Sequence, residues 1–437
     1  MAGLSMLERL RDLVAGSSTR RQVAANSGWL LLDRLVRAMI GLLVGAWVAR
    51  HLGPAHFGTL AYVLAYVALF QPFANLSADA IVVRNVSQEP RTAAEVLGAA
   101  LALRLAFGLV GWLLAVAGAA LIGDEDSSLT TLTAVVGGTL LFQAADVVDL
   151  WFQSQTQSRR TVVAKLVVYA ISAGVKIAMI LADAPLIAFA VVTAVEGLLS
   201  AIAMIVAYRS FRTAHSWAVT REAVGAILSE CWPFMLSGFA IVAYMRIDQI
   251  MIREILSVED LGIYAAVLPL SQFWQVIPLT IATSIGPFIA KQRLTDEVAF
   301  RRSMTLAFRA FFYLGVLSAV TTYAASGWLV PQLFGVAYAG AVLVLDLHAI
   351  SNIFCFLGIA HGLWLVNERR FTVRLYGTVL AGAATVGMNA LLLPRIGLPG
   401  ACIAAIAAQA IAAFFINAFL DRRGFRLQIA AITFGKV

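Results

Sequence analysis

The sequence predicts an all-α, polytopic membrane protein with about twelve transmembrane helices in two six-helix bundles. Three observations predict it: the apolar content, the length of the apolar runs, and the placement of basic residues between them. Of the 437 residues, 61% are apolar and 13% are charged, against about 25% charged in a soluble domain. A chain this apolar takes lipid as its solvent. Crossing the hydrocarbon core needs roughly 20 mostly apolar residues. Backbone groups in lipid must be satisfied within the chain, which leaves helices or closed barrels. The runs are continuous and do not alternate with period two, so they read as helices.

In chain order the runs cover residues 28–49, 57–83, 94–122, 129–152, 161–182, 185–207, 232–252, 262–289, 304–326, 339–366, 372–393 and 398–420. Breaks such as Leu52-Gly53-Pro54, Asp183-Ala184-Pro185 and Pro394-Arg395-Ile396-Gly397 end helices through backbone freedom and loss of a donor. Lys and Arg in short loops set orientation. One set of alternating flanks holds 23 of the 32 Lys and Arg residues, and the opposite set holds only Arg50, Arg253 and Arg395. A missed or invented span would scramble that alternation, so both termini read as cytoplasmic. The division that follows is a cytoplasmic arm over 1–27, a bundle over 28–210, a cytoplasmic linker over 211–231, a second bundle over 232–420 and a cytoplasmic tail over 421–437.

The halves echo one another. With one inserted residue, 50–61 aligns with 253–265, matching Arg50 with Arg253, Gly58 with Gly262 and Ala61 with Ala265. Trp151 with Arg159-Arg160 is echoed by Trp364 with Arg369-Arg370. Two six-span repeats share one orientation, and their interface is where a substrate path is expected.

Several function classes are disfavoured. No G-x-x-x-x-G-K-[ST] run is present, so the chain carries no P-loop ATPase. No His, Cys and carboxylate cluster has metal-ligand spacing, and Cys231, Cys355 and Cys402 are scattered. No metal and no cofactor is expected. The net charge of +8 is dispersed between apolar runs as a topology signal, which argues against nucleic acid. The short loops favour transport over catalysis, with a membrane glycosyltransferase or ligase as the alternative of another class.

Ionisable groups inside spans are costly and usually face a cavity or a partner. In the first span Asp33 and Arg37 share a face, with Arg34 beside them; the pair also reads as a structural i,i+4 bridge. The second carries Gln71, Asn75 and Asp79 at i, i+4, i+8, then Arg84, which can also snorkel to the interface. The fourth has Gln143, Asp146, Asp149 and Gln153. Lys176, Arg246, Asp248, Gln275 and Asp346 add polar groups in later spans. Polar side chains also glue helices together, but stripes of both charge signs in both halves suit a water-filled chamber. Candidate substrate contacts are Arg34, Arg37, Arg246, Asp248, Asp33, Arg84, Lys176, Asn75 and Gln275. Candidate ion-coupling groups are Asp146, Asp149, Asp79 and Asp346. Arginine forks suit phosphate oxygens, so an anionic, phosphate-bearing substrate is expected.

Four segments carry a family resemblance: A-R-H-L-G-P-A-H-F-G-T-L-A-Y (49–62), R-I-D-Q-I-M-I-R (246–253) with L-G-I-Y-A-A (261–266), L-F-G-V-A-Y-A-G-A (333–341) and N-A-L-L-L-P-R-I-G-L-P-G-A (389–401). In order and spacing they resemble Wzx-type polysaccharide flippases of the multidrug/oligosaccharidyl-lipid/polysaccharide exporter superfamily. The resemblance implies two bundles forming a V that opens to each side in turn. It implies transfer of an undecaprenyl diphosphate-linked oligosaccharide across the bacterial cytoplasmic membrane, with membrane lipids, a polysaccharide polymerase and assembly proteins as partners. The family's cationic lumen maps onto Arg34, Arg37 and Arg246, with Asp248 in the seventh-span motif. A multidrug cation antiporter of the same fold is the alternative, and it predicts an acidic chamber.

Overall fold

A computed structural model describes residues 18–122, 128–211 and 217–433. The described residues are helical, joined by short turns. The break between the third and fourth runs, at 123–127, and most of the N-terminal arm lie outside them.

Helix α1 (Ser18–Ala68) carries the first run and the start of the second, bent at Gly53. Gly53 has φ 71° and Pro54 follows it. The left-handed φ costs glycine little, and proline cannot donate back into the helix. The second run then breaks. α2 (Gln71–Ala74) and α3 (Asp79–Gln88) are separated by Leu76 and Ser77 at φ 60° and 46°. Asn75 Oδ1 accepts the Ser77 amide at 2.9 Å, which caps the break. The stripe expected through Gln71, Asn75 and Asp79 therefore does not form, because no single helix connects them.

Next come α4 (Ala93–Ile122), α5 (Ser128–Gly137), α6 (Thr139–Phe142) and, after a 3-10 turn over Gln143–Asp146, α7 (Val147–Ser154). The chain continues through α8 (Arg159–Leu181), α9 (Leu186–Arg209), α10 (Arg221–Ile255), α11 (Val258–Phe273), α12 (Val276–Thr295), α13 (Glu297–Phe334), α14 (Ala341–Asn367) and α15 (Phe371–Ile396). The last membrane run is α16 (Leu398–Ala410), a π-turn over Ile411–Phe415, and α17 (Ile416–Leu420). A short helix, α18 (Arg422–Ile432), ends the described chain. Ten helical stretches among the described residues, from Pro90–Leu121 onward, are long and apolar enough to cross a membrane. The chain is a multi-pass membrane protein.

Contacts divide it into two compact units. Unit one takes the described residues of Met1–Ile40, Phe70–Met179 and Ile187–Phe239. Its core holds Leu76, Val82, Trp151, Phe152 and Met204, with the Trp151 ring edge-on to Phe152, Tyr208 and Phe211. Unit two takes Gly41–Leu69, Ile180–Leu186 and Ala240–Val437. Its core is aromatic, built on Phe300, Phe308, Phe311, Phe356 and Trp364.

Within unit two the repeat-matched segments meet. A Cβ built on Gly58 would overlap the Val258 carbonyl oxygen, and one built on Gly262 would overlap that of Pro54. The contact is reciprocal between the two segments. Glycine stands at both positions because backbone fills the space of any side chain. Arg253 stacks over the Tyr62 ring at 4.1 Å, and Tyr338 Oη donates to the Ala49 carbonyl at 2.7 Å.

Candidate functional site

The intramembrane charges of unit one fall into local sets. On α1, Arg37 Nε donates to Asp33 Oδ1 at 2.7 Å. The Arg37 guanidinium stacks on Tyr169 at 5.0 Å, and Tyr169 Oη donates to the Arg37 carbonyl at 3.2 Å. Arg34, one residue on from Asp33, is exposed and has no hydrogen-bond or ion-pair partner among the described residues. Lys176 on α8 pairs with Glu196 on α9 at 3.0 Å, and Ser172 Oγ donates to the same carboxylate oxygen at 2.6 Å. Lys165, near the start of α8, reaches both Asp146 at 2.8 Å and Asp149 at 3.0 Å. Asp79 receives Arg104 Nη2 at 2.6 Å, and Arg104 is only 1% exposed. Arg84 is exposed and binds Glu230 and Asn85.

In unit two, Asp248 accepts Tyr264 Oη at 2.7 Å and the Gln249 amide at 2.8 Å. Arg246, two residues before it, is exposed and makes no hydrogen bond or close ion pair among the described residues, its charge reaching the Asp248 carboxylate only at longer range. Gln275 donates to Asn352 at 3.2 Å; Asn352 in turn donates to the Ser271 carbonyl at 2.9 Å, and His348 bonds the Ser271 hydroxyl at 2.9 Å. Asp346 Oδ1 is buried without a hydrogen-bond partner.

The predicted residues thus separate by state. Asp33, Arg37, Arg84, Lys176, Asp79, Asp146, Asp149 and Asp248 are each held by a neighbour in their own unit. Asn75 is spent on a turn and Gln275 on a polar ladder. Arg34 and Arg246 are the predicted cations with open guanidinium groups.

Sequence reading missed several members of these sets. Glu196 is a lone acid in an apolar run and needed pairing with Lys176 to be noticed. Lys165 reads as a flank charge in the sequence, yet it is the cation that two span carboxylates share. Asp421, fully buried at the end of α17, accepts Trp364 Nε1 at 2.7 Å, Arg370 Nη1 at 3.0 Å, His361 Nε2 at 3.3 Å and the Gly424 amide at 3.3 Å. Burial alone would raise its pKa; the donors from His361, Gly424 and Trp364 outweigh it and hold the carboxyl below the ordinary range. The Trp364 and Arg369-Arg370 echo was the visible trace of this cluster.

A family model described as "Polysaccharide biosynthesis protein" matches residues 23–292, more than half of the chain. No curated protein matches the sequence. Among solved structures, an inward-facing multidrug resistance transporter of the MATE family aligns over 92% of this chain and 96% of its own, at 14% identity and TM-score 0.75. The lipid II flippase MurJ, in an inward closed conformation, aligns over 94% and 91%, at 10% identity and TM-score 0.71. At such identities the likeness shows the fold. That fold is shared by transporters and flippases, and neither neighbour is an enzyme. The chain belongs to the polysaccharide biosynthesis protein family, with the fold of the MATE transporters and MurJ.

Proposed function

We propose that this protein flips an undecaprenyl diphosphate-linked oligosaccharide from the cytoplasmic to the outer leaflet of the bacterial cytoplasmic membrane, by alternating access. Both termini then face the cytoplasm, and a polysaccharide polymerase acts downstream. The carrying observation is the pair of open guanidinium groups, Arg34 and Arg246, in a member of the polysaccharide biosynthesis family. Exporting a cation needs uncommitted carboxylates. Most span carboxylates here already accept a hydrogen bond, while these two arginines donate none among the described residues. Arginine binds phosphate oxygens bidentately with charge-assisted bonds. Asp33 holds Arg37 as a further cation of the same helix face.

Ion coupling, where it operates, falls to Asp346, the coupling candidate with a partnerless Oδ1 and no ion pair among the described residues. Asp79, Asp146 and Asp149 already face Arg104 or Lys165. The MATE-like fold keeps a cation antiporter as the second reading. Complementation of a deletion strain separates the two. Arg34→Ala with Arg246→Ala should cut surface polysaccharide at least about tenfold, a loss of ~1.4 kcal/mol in binding, at unchanged protein level. Full polysaccharide output would sink the diphosphate assignment.

A further inference from the structure

Unit two contains a cavity of about 650 Å³ inside its own helices, within the ~300–1,000 Å³ range of small-molecule sites. It lies toward the end of the unit that bears the Arg- and Lys-rich flanks. Its lining includes Asn367 at the end of α14 and the exposed Arg374, with Thr378, at the start of α15. Tyr244 of α10 and Gln409 of α16 line it as well. The walls between are mainly apolar and small.

Three observations indicate what it takes. First, Arg374 is the sole permanent charge in the lining, which includes no carboxylate. It is exposed, with no ion-pair partner among the described residues, and its backbone carbonyl alone is used, by Thr378 Oγ1 at 3.0 Å. A cationic guest finds no carboxylate to pair with, whereas an anion beside Arg374 finds a cation. Second, the wall is kept open by glycines. A Cβ on Gly362 meets nothing within 4 Å, and one on Gly286 meets only the tip of Leu363 at 3.7 Å. Third, the opposite wall is the π-turn of Ile411–Phe415, whose Ala413 carbonyl is taken up by Asn417 at 2.8 Å and Gln428 at 3.0 Å. A π-turn is costly and recurs at functional sites; here it sets Ala412 and Ala413 on the cavity.

We propose that this cavity binds the phosphate-proximal end of a polyprenyl diphosphate, its apolar chain between α14 and α16 and its phosphate on Arg374. The choice of an isoprenoid rests on the flippase reading above; the anionic head and apolar chain rest on the cavity itself. Unit one has a second cavity of about 790 Å³, with Arg209 at one end. Apart from Arg209, Tyr208 and Trp217 its lining is apolar, which suits ordinary bilayer lipid and makes it a control.

The native Cys355 lines the cavity and is partly accessible, whereas Cys231 and Cys402 are buried. Alkylation of the purified chain by a maleimide, read at Cys355 by peptide mass spectrometry, reports occupancy. Geranylgeranyl diphosphate at ten times its Kd should slow labelling about tenfold and raise Tm. Inorganic diphosphate and geranylgeraniol should do neither. Arg374→Gln should remove both effects. Gly362→Leu, whose side chain enters open space, should abolish the Tm rise while leaving the ligand-free Tm at or above the wild-type value. Equal protection by phosphatidylglycerol, or no protection together with no Tm rise, overturns the proposal. Leaflet transfer of a lipid-linked oligosaccharide that survives Gly362→Leu also overturns it, and leaves the flippase reading standing. Binding of the prenyl diphosphate without leaflet transfer upholds the cavity and removes that reading.

Discussion

At the residue scale, buried charge here is spent mostly on holding helices together. Asp421 joins α14, the Arg369-Arg370 turn and α18 through four donors. Its lowered pKa stabilises the fold above the ordinary carboxylate range, and that contribution is lost as pH falls through the lowered value. Asp421→Asn should therefore lower stability at neutral pH by about 2 kcal/mol. Thermal unfolding in detergent should show the gap between variant and wild type closing as pH drops below about 4; a gap independent of pH would contradict the ionised role. The Lys176–Glu196 pair makes a different case. Removing Lys176 alone leaves an uncompensated half-buried carboxylate, so Lys176→Met should destabilise clearly. The double variant Lys176→Met with Glu196→Leu should recover most of the loss, and a double variant worse than the single would argue that the pair contacts substrate. The sequence revealed that charges lie in the spans, and Asp33 with Arg37 was legible because i,i+4 spacing puts them together on any helix. The partners Glu196, Lys165 and Arg104 were not legible, since they come from other helices and only packing brings them near.

At the scale of elements, apolar runs located nearly every helix, because burial in lipid demands that length. What the runs concealed was interruption. A hydropathy window passes through Leu76-Ser77 and through the 3-10 turn at Gln143–Asp146 without a signal, since neither carries proline or glycine. α18 was also hidden, being too short and too polar to count as a run; its buried face is Leu427, Gln428 and Ala431, and Arg309 caps its end through the Ala431 carbonyl at 3.1 Å. The repeat was legible through Gly58 and Gly262, although why glycine is needed there emerges only from the reciprocal backbone contact. Two glycine substitutions should then have opposite signs. Gly262→Val should force α1 and α11 apart and lower Tm. Gly225→Ala, on an exposed face of α10 with nothing within 4 Å of the new Cβ, should raise stability by about 1 kcal/mol. Equal effects of the two would mean that the Gly58–Gly262 approach is not a packing constraint.

At the scale of the whole molecule, composition and loop charge established a multi-pass helical protein, and the family and fold comparisons agree with it. The sugar was not legible, because its recognition depends on which polar groups converge rather than on any local pattern. The functional claim rests on Arg34 and Arg246, which stay open where the other predicted charges, Asp346 apart, are held by neighbours. The direct measurement is leaflet transfer by the purified protein in sealed vesicles, using a fluorescent undecaprenyl diphosphate-linked oligosaccharide and an outer-leaflet quencher. The expected result is transfer well above protein-free vesicles, reduced at least about tenfold in Arg34→Ala with Arg246→Ala. Transfer at the protein-free rate, together with gradient-driven movement of a cationic dye, would contradict it and establish the antiporter instead.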